Sequence, residues 1–420
     1  MKGIVAAMLV LVALSVTVVP LAVAQDGGWA GPVMTEAEAV AAAIASSDEV
    51  DRLENRVYAR QKKVDRAPFA VRNPELRLGD ISTEYADPAA NHKFELGLRW
   101  RLPKYGEVNE LVALARLEYW DAKVDEFVFK NDLATTMRLA WVDVACLNRE
   151  AELAGRRVDA ATRQLDVVTK LVELGEVPFV RKVKAQTALL RARRDLAAAT
   201  KSLEAGRIRL GALVGNGLPV DSGRFEAQSG DLDFNALVDL AMKARPEYEF
   251  EVQRLALART EKRANDLKMI PNLSFIEAAY HYESLGTDWG ELSFGIELPL
   301  FHWIRGKPVE INDGAGRETR SFAGTEELTQ DLADAFARWT GARAALLALA
   351  EEAAAAADGI RKMVDEARAR GVSEADVLEL EMSALDLEEM LVEAERDYAE
   401  AFFELCGAVG VDDCATLFAR

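Results

Sequence analysis

From Lys93 to Leu102 the chain alternates, with Phe94, Leu96, Leu98, Trp100 and Leu102 on one side and Lys93, Glu95, Gly97, Arg99 and Arg101 on the other. A period of two is that of an extended chain with one oily face. About 200 residues later the pattern returns, with Leu292, Phe294, Ile296 and Leu298 set against Glu291, Ser293, Gly295 and Glu297. Ile276, Ala278, Tyr280 and Tyr282 carry it more weakly, and Leu76 and Leu78 more weakly still. Strands are therefore expected near 73–84, 93–102, 272–283 and 291–300.

Everywhere else the spacing is helical. A helix is expected over 35–66, opened by Thr35 with Glu38 three residues on, which is the capping-box pattern. A very long helix follows from 108 to 174, a break at "LGEVP" (174–178), and a return to about 214. The order then restarts with a helix over 234–268, the second strand pair, a helix over 318–370, a break at "RGVS" (370–373) and a helix to about 409. Leu189, Leu196, Leu203 and Leu210 recur every seven residues, with Ala192, Ala199, Gly206 and Leu213 three places later. The last helix does the same with Ala384, Leu391, Tyr398 and Leu405, followed by Leu387, Ala394, Ala401 and Ala408. Heptads of this kind lay helices side by side. The arm from 108 to 174, if unbroken, is ~100 Å long, which suits a fibre, a spacer or the wall of a tube better than a compact core.

The halves also align residue by residue. "LGLRWRL" from 96 matches "FGIELPL" from 294, and Trp141 matches Trp339, both at an offset of 198. Val177-Pro178 matches Val372-Ser373, and "LVG" ending at Gly215 matches "AVG" ending at Gly410, both at 195. The expected organisation is a first repeat over 25–214, a Gly-rich linker over 215–233, a second repeat over 234–410 and a tail over 411–420. Residues 1–24, with Lys2, an apolar run from Gly3 to Val18 and Ala22-Val23-Ala24, read as a signal peptide, so an exported chain is expected.

A formal charge of −19 argues against nucleic acid as a partner. If the chain lines a pore, the same excess favours cations inside it. The three cysteines and three histidines show no metal-ligand spacing, although Cys406 and Cys414, eight apart, could bridge in an oxidising compartment. No Ser-His-Asp arrangement or phosphate-binding Gly loop stands out, so neither an enzyme nor a cofactor is expected. After residue 24 no stretch reads as a transmembrane helix, but strands of this length match the ~9–11 residues that cross a bilayer in a tilted barrel. Trp100, Trp289, Trp303, Tyr85, Tyr105 and Tyr282 lie in or beside the hairpins, where an interfacial aromatic belt would want them. Four strands cannot close on themselves, and an open edge is not tolerated in lipid, so several chains would have to share one barrel.

The doubled order of helix, strand pair and helical hairpin resembles the TolC-like outer membrane factors, the exit ducts of tripartite efflux pumps and type I secretion systems. "NPELRL" (73–78) and "IPNLSF" (270–275) entering the strands, "LPLFHWIRG" (298–306) leaving them, and the hairpin tips at 173–199 and 369–401 carry the likeness. "NPEL" and "GEVP" look most like the CzcC-like heavy-metal branch. The resemblance implies a mainly α protein with membrane β: a tandem-repeat protomer of coiled-coil hairpins and four transmembrane strands. It implies a homotrimer with a 12-stranded β-barrel in the outer membrane of a Gram-negative bacterium and an α-helical tunnel through the periplasm. Its implied partners are a periplasmic adaptor (membrane fusion protein), an inner-membrane transporter of the RND type, and outer membrane lipid. Adaptor docking then falls on Leu174, Gly175, Val177 and Pro178 at one tip and on Gly371, Val372 and Ser373 at the other. Asp376 and Glu379 match the acidic positions that line the closed entrance, and Arg181 stands opposite Asp376 in the first copy. A soluble periplasmic coiled-coil adaptor or spacer, and a type I secretion duct, remain alternatives.

Overall fold

The computed structural model describes residues 32–69, 73–84, 91–215, 219–223, 225, 230–283, 286, 288–300, 313–369 and 374–418. The expected signal peptide, and Gly371, Val372 and Ser373 of the second tip, lie outside the described residues, as do Tyr85 and Trp303.

A two-residue strand, β1 (Val33–Met34), leads into α1 (Glu36–Ala45) and α2 (Asp48–Arg66). β2 (Glu75–Glu84) and β3 (Asn91–Arg101) precede the long hairpin of α3 (Glu107–Glu173) and α4 (Phe179–Val214). After β4 (Asp221–Ser222) the order recurs with α5 (Phe234–Ala244), α6 (Pro246–Leu267), β5 (Asn272–Glu283) and β6 (Trp289–Glu297). A second hairpin, α7 (Asp313–Ala369) and α8 (Glu374–Val409), and a closing 3₁₀ turn at Cys414–Phe418 complete the chain.

Two single helices expected from the sequence are each two helices. The Thr35–Glu38 capping box is present, but α1 stops at Ser46, and Ser47 turns extended and caps α2 by accepting from the Val50 N–H. In the second half Arg245 is extended because Pro246 follows it, and Pro246 opens α6. Ser47 and Arg245 are 198 positions apart, the same offset as Trp141 and Trp339. The linker also holds a short element, since β4 pairs in parallel with β1.

α3 is one unbroken helix of 67 residues, ~100 Å long. Among the described residues the four long helices form a single layer in the order α4-α3-α8-α7, with α3 packed on α4 and α8, and α8 on α7. Within each hairpin the contacts are side by side, and the two hairpins meet at the seam between α3 and α8. That seam carries a ladder of ion pairs: Arg149 with Glu395, Arg156 with Glu388 at 2.5 Å, and Arg163 with Glu381 at 3.2 Å. Each step of seven up α3 meets a step of seven down α8, so the rungs recur once per heptad on antiparallel helices. Arg157, between rungs, reaches Asp386 and Glu389, and Arg396 returns the pairing from α8 to Glu150.

The core lies at the middle of the layer, where α1 and α5 are laid against the long helices. Trp141 and Trp339 are both buried there, and Trp141 Nε1 donates to the Met34 carbonyl at 2.8 Å. Near the sheet end of α3, Glu126 sits between Lys123 and Lys130. Burial pushes its carboxyl up, but the hydrogen bonds from Lys130 and Lys123 outweigh this and hold it below the ordinary glutamate value.

Candidate functional site

The four strands form one antiparallel sheet in the order β2-β3-β5-β6, so that β3 and β5 join the two halves of the chain. Register places whole rows of like residues together. Leu76, Leu98, Ala278 and Leu292 form one row across all four strands, and Trp100, Ile276 and Phe294 form the next across three. Leu78, Leu96 and Tyr280 form a third, with Phe94 beside Tyr282 at a ring separation of 5.1 Å. Every large side chain of this face is exposed: Leu78 and Phe294 by 68% and Leu292 by 74%. No described helix is laid against the sheet. An apolar face of four strands left to water is far larger than a soluble monomer tolerates.

The opposite face is built of charge. Glu277, 7% exposed at its side chain, accepts from Arg99 Nε at 2.8 Å and Nη2 at 2.6 Å, and from Arg77 Nη1 at 3.3 Å. Arg99 also lies over the Phe275 ring at 4.2 Å. Arg101 pairs with Glu75, Lys93 with Glu283 and Lys104 with Glu297. Toward the hairpin turns His281 stacks on Trp289 at 3.9 Å and meets Glu291 at 3.2 Å. The strand alternation located these residues, but not the Glu277 cluster, because the register of Arg99 on Glu277, 178 residues apart, is invisible to a local pattern.

At the far end of the hairpin, α3 closes in a Schellman turn. Gly175 is left-handed at φ +75°, its N–H donates to the Val172 carbonyl, and the Glu176 N–H donates to that of Leu171. Pro178 then caps α4 with its fixed extended geometry. Leu174, Gly175 and Pro178 are exposed and Val177 is half-buried, with Phe179 and Val180 adding an exposed apolar patch beside them. Arg181 is exposed on the first turn of α4. Asp376 falls in the first turn of α8, with its side chain outside the described residues, and Glu379 is exposed one turn on. The structure thus presents one complete tip. The charge ladder leading down to it went unseen in the sequence, although its signal, Arg at 149, 156 and 163 and Glu at 381, 388 and 395, is itself a heptad.

Among the described residues no group of three or more His, Cys, Asp or Glu could hold a metal ion, and no helix is long and apolar enough to cross a membrane. The latter bears on helices alone.

Residues 41–216 match the family model described as outer membrane efflux protein. No curated protein matches the chain by sequence. Among solved structures, the outer membrane protein VceC from Vibrio cholerae is similar at 17% identity and a TM-score of 0.65, covering 89% of this chain and 96% of that one. The MtrE outer membrane channel of Neisseria gonorrhoeae, in its open state, is similar at 18% identity and a TM-score of 0.65, covering 89% and 88%. The CmeC outer membrane channel of Campylobacter jejuni is similar at 13% identity and a TM-score of 0.62, covering 91% and 88%. At such identities the likeness is one of fold, and it runs nearly the whole length of each chain.

Proposed function

We infer that this chain, whose residues 41–216 match the outer membrane efflux protein model, is the outer membrane exit duct of a tripartite efflux pump. The observation that carries this reading is the sheet: one face apolar and uncovered, the other dominated by charge and cross-linked by ion pairs, with Phe275 and Trp289 held under Arg99 and His281. That is the division of a barrel strand between lipid and lumen. A soluble adaptor or spacer has no use for it.

Closure needs further copies of the chain. β2 and β6 are open edges of the sheet, and α4 and α7 are open edges of the helical layer. A sheet edge in lipid must be paired. The helical edges are complementary: α4 carries nine Lys and Arg against two Asp and Glu, whereas α7 carries eleven acidic residues against seven basic. Leu190 and Ile208 of α4 and Leu347 of α7 are exposed and available to the same contact. Head-to-tail closure of three copies gives twelve strands in the outer membrane and twelve long helices around a periplasmic tunnel.

The tip around Leu174, Gly175, Val177 and Pro178, with Gly371, Val372 and Ser373 in the second copy, is the docking surface for a periplasmic adaptor that connects to an inner-membrane transporter of the RND type. Arg181, Asp376 and Glu379 stand where such a tunnel would be held closed. The lumen-facing strand positions carry Glu75, Glu95, Glu277, Glu283, Glu291 and Glu297 against Arg77, Lys93, Arg99 and Arg101, an excess of carboxylates that suits cationic cargo, metal cations included.

The test is reconstitution. The protein purified from outer membranes should need detergent, image as three-fold cylinders with one end in the micelle, and conduct in a planar bilayer. A monomer that stays soluble without detergent and never conducts overturns the reading.

A further inference from the structure

We propose that Cys406 and Cys414 are joined by a disulfide in the exported protein, stapling the C-terminal turn to the last helix. This rests on the outer-membrane reading, which places the chain in an oxidising compartment. Cys406 lies in the last turn of α8 with no exposed surface, and Cys414, at 5%, begins the closing turn Cys414–Phe418. Between them Gly410 is left-handed at φ +81°, and the N–H groups of Gly410 and Val411 both donate to the Cys406 carbonyl, at 2.9 and 3.3 Å. A Cβ at Gly410 would stand 2.6 Å from the Phe127 ring and 2.9 Å from Arg245 Cγ, so neighbouring helices hold the reversal in place. The chain is folded back at the end of α8, and Cys406 and Cys414, both free thiols in this structure, are buried in the same apolar cluster. An S–S bond of ~2.05 Å between them would close a loop of a few residues around the left-handed Gly410.

Arg138 completes the cluster. Its guanidinium is buried, donates from Nε to Glu36 and from Nη2 to the Asp412 carbonyl, and keeps Nη1 without a hydrogen-bond partner. It lies within electrostatic reach of both sulfurs, so the docked turn gathers the pair beside a buried cation. The third cysteine, Cys146 on α3, is set apart beside Arg396.

The oxidant is the disulfide of a thiol–disulfide oxidoreductase of that compartment. One cysteine thiolate attacks it, forming a mixed disulfide and expelling one of its sulfurs as a thiol. The second cysteine, losing its proton, then attacks the sulfur of the first and expels the oxidant's other thiol. The pair gives up two protons and two electrons, and the oxidant's disulfide ends as two thiols. Burial holds the Cys406 thiol well above its ordinary value in the closed fold. The exchange therefore belongs to the period before residues 411–418 dock.

The measurement is thiol mapping of the full protein taken from outer membranes, alkylated during lysis, unfolded with more alkylating agent and cut with trypsin. Cleavage after Arg396 leaves both cysteines in the peptide 397–420. The expected result is that this peptide is unalkylated and two hydrogens lighter than the dithiol, that prior reduction exposes both thiols, and that Cys146 is alkylated throughout. A doubly alkylated peptide from correctly inserted protein overturns the disulfide and leaves the duct reading standing. A doubly alkylated peptide from protein that never leaves the cytosol overturns both.

Discussion

Reversing the three arginines of the α3–α8 ladder should weaken the layer by an amount that can be worked out rung by rung. Arg156 and Glu388 are half-exposed, at 50% and 44% of their side-chain surface, so their fork is worth only ~0.2–1 kcal/mol. Arg149→Glu, Arg156→Glu and Arg163→Glu each remove such a pair and set two carboxylates facing, which doubles the effect to ~1 kcal/mol per rung. Seven residues separate the rungs by ~10.5 Å along the helix. That is about one Debye length at 0.1 M salt, so the rungs act almost independently and the triple variant should lose ~3 kcal/mol. Helical circular dichroism in detergent should show its melting midpoint lowered by several degrees. Adding Glu381→Arg, Glu388→Arg and Glu395→Arg should restore most of the loss, and ~1 M salt should shrink the gap between wild type and triple variant. A stabilising charge ladder is refuted if the six-fold swap melts as low as the triple variant, or if salt leaves the gap untouched.

Other consequences follow from the same geometry. Leu96→Arg, on the apolar face, should cost ~2–4 kcal/mol at the membrane midplane and abolish the heat-stable oligomer on a semi-native gel, whereas Glu95→Arg on the opposite face should assemble normally. Leu174→Asp at the tip should leave single-channel conductance unchanged while abolishing adaptor co-purification; retained binding would remove Leu174 from the docking surface. Because Glu126 is held below the ordinary 4.5, its contribution to stability is complete above that value and is lost as the pH falls through the lower folded value. An acid titration of Glu126→Gln should therefore show a flatter limb than wild type below about pH 4.5. In a KCl gradient the reversal potential should indicate a preference for cations, and an anion preference would contradict the carboxylate excess of the lumen.

The strands and the long helix were legible because each is written locally, as a period of two or of seven. What stayed hidden depends on partners distant in sequence. The breaks at Ser47 and Arg245 were signalled by Ser46-Ser47 and by Pro246, but the apolar periodicity runs through both and masks them. In α8 the row read as a seam, Ala384 to Leu405, is flanked by a row that is buried throughout: Leu378, Leu385, Val392, Ala399 and Cys406. Ala399 and Cys406 give little hydrophobic signal at the end of that row, and a helix with a neighbour on each side needs two seams where one heptad marks only one. Within the site, Gly175 announced its turn, whereas the burial of Glu277 between two arginines required the register of β3 on β5.

The duplicated halves raise a problem of identity that charge resolves. In a closed ring, the α3–α8 seam inside one protomer and the α7–α4 seam between protomers are equivalent by the internal repeat, since α3 corresponds to α7 and α4 to α8. Equivalent seams invite mispairing, with α4 of one copy taking the place of α8 beside α3. Yet α8 carries twelve acidic residues against one basic, whereas α4 carries nine basic against two acidic. At the α3–α8 seam the acidic helix meets Arg149, Arg156, Arg157 and Arg163. An α4 placed there would set Arg193 near those guanidiniums and leave α8 with an acidic neighbour in α7. Gln186 and Thr200 would stand in for Glu381 and Glu395, so the wrong pairing loses the attraction at every rung and sets like charges facing at one. The two copies of the hairpin have therefore kept their backbone and diverged in charge, so that each seam admits one partner and the layer closes in one order.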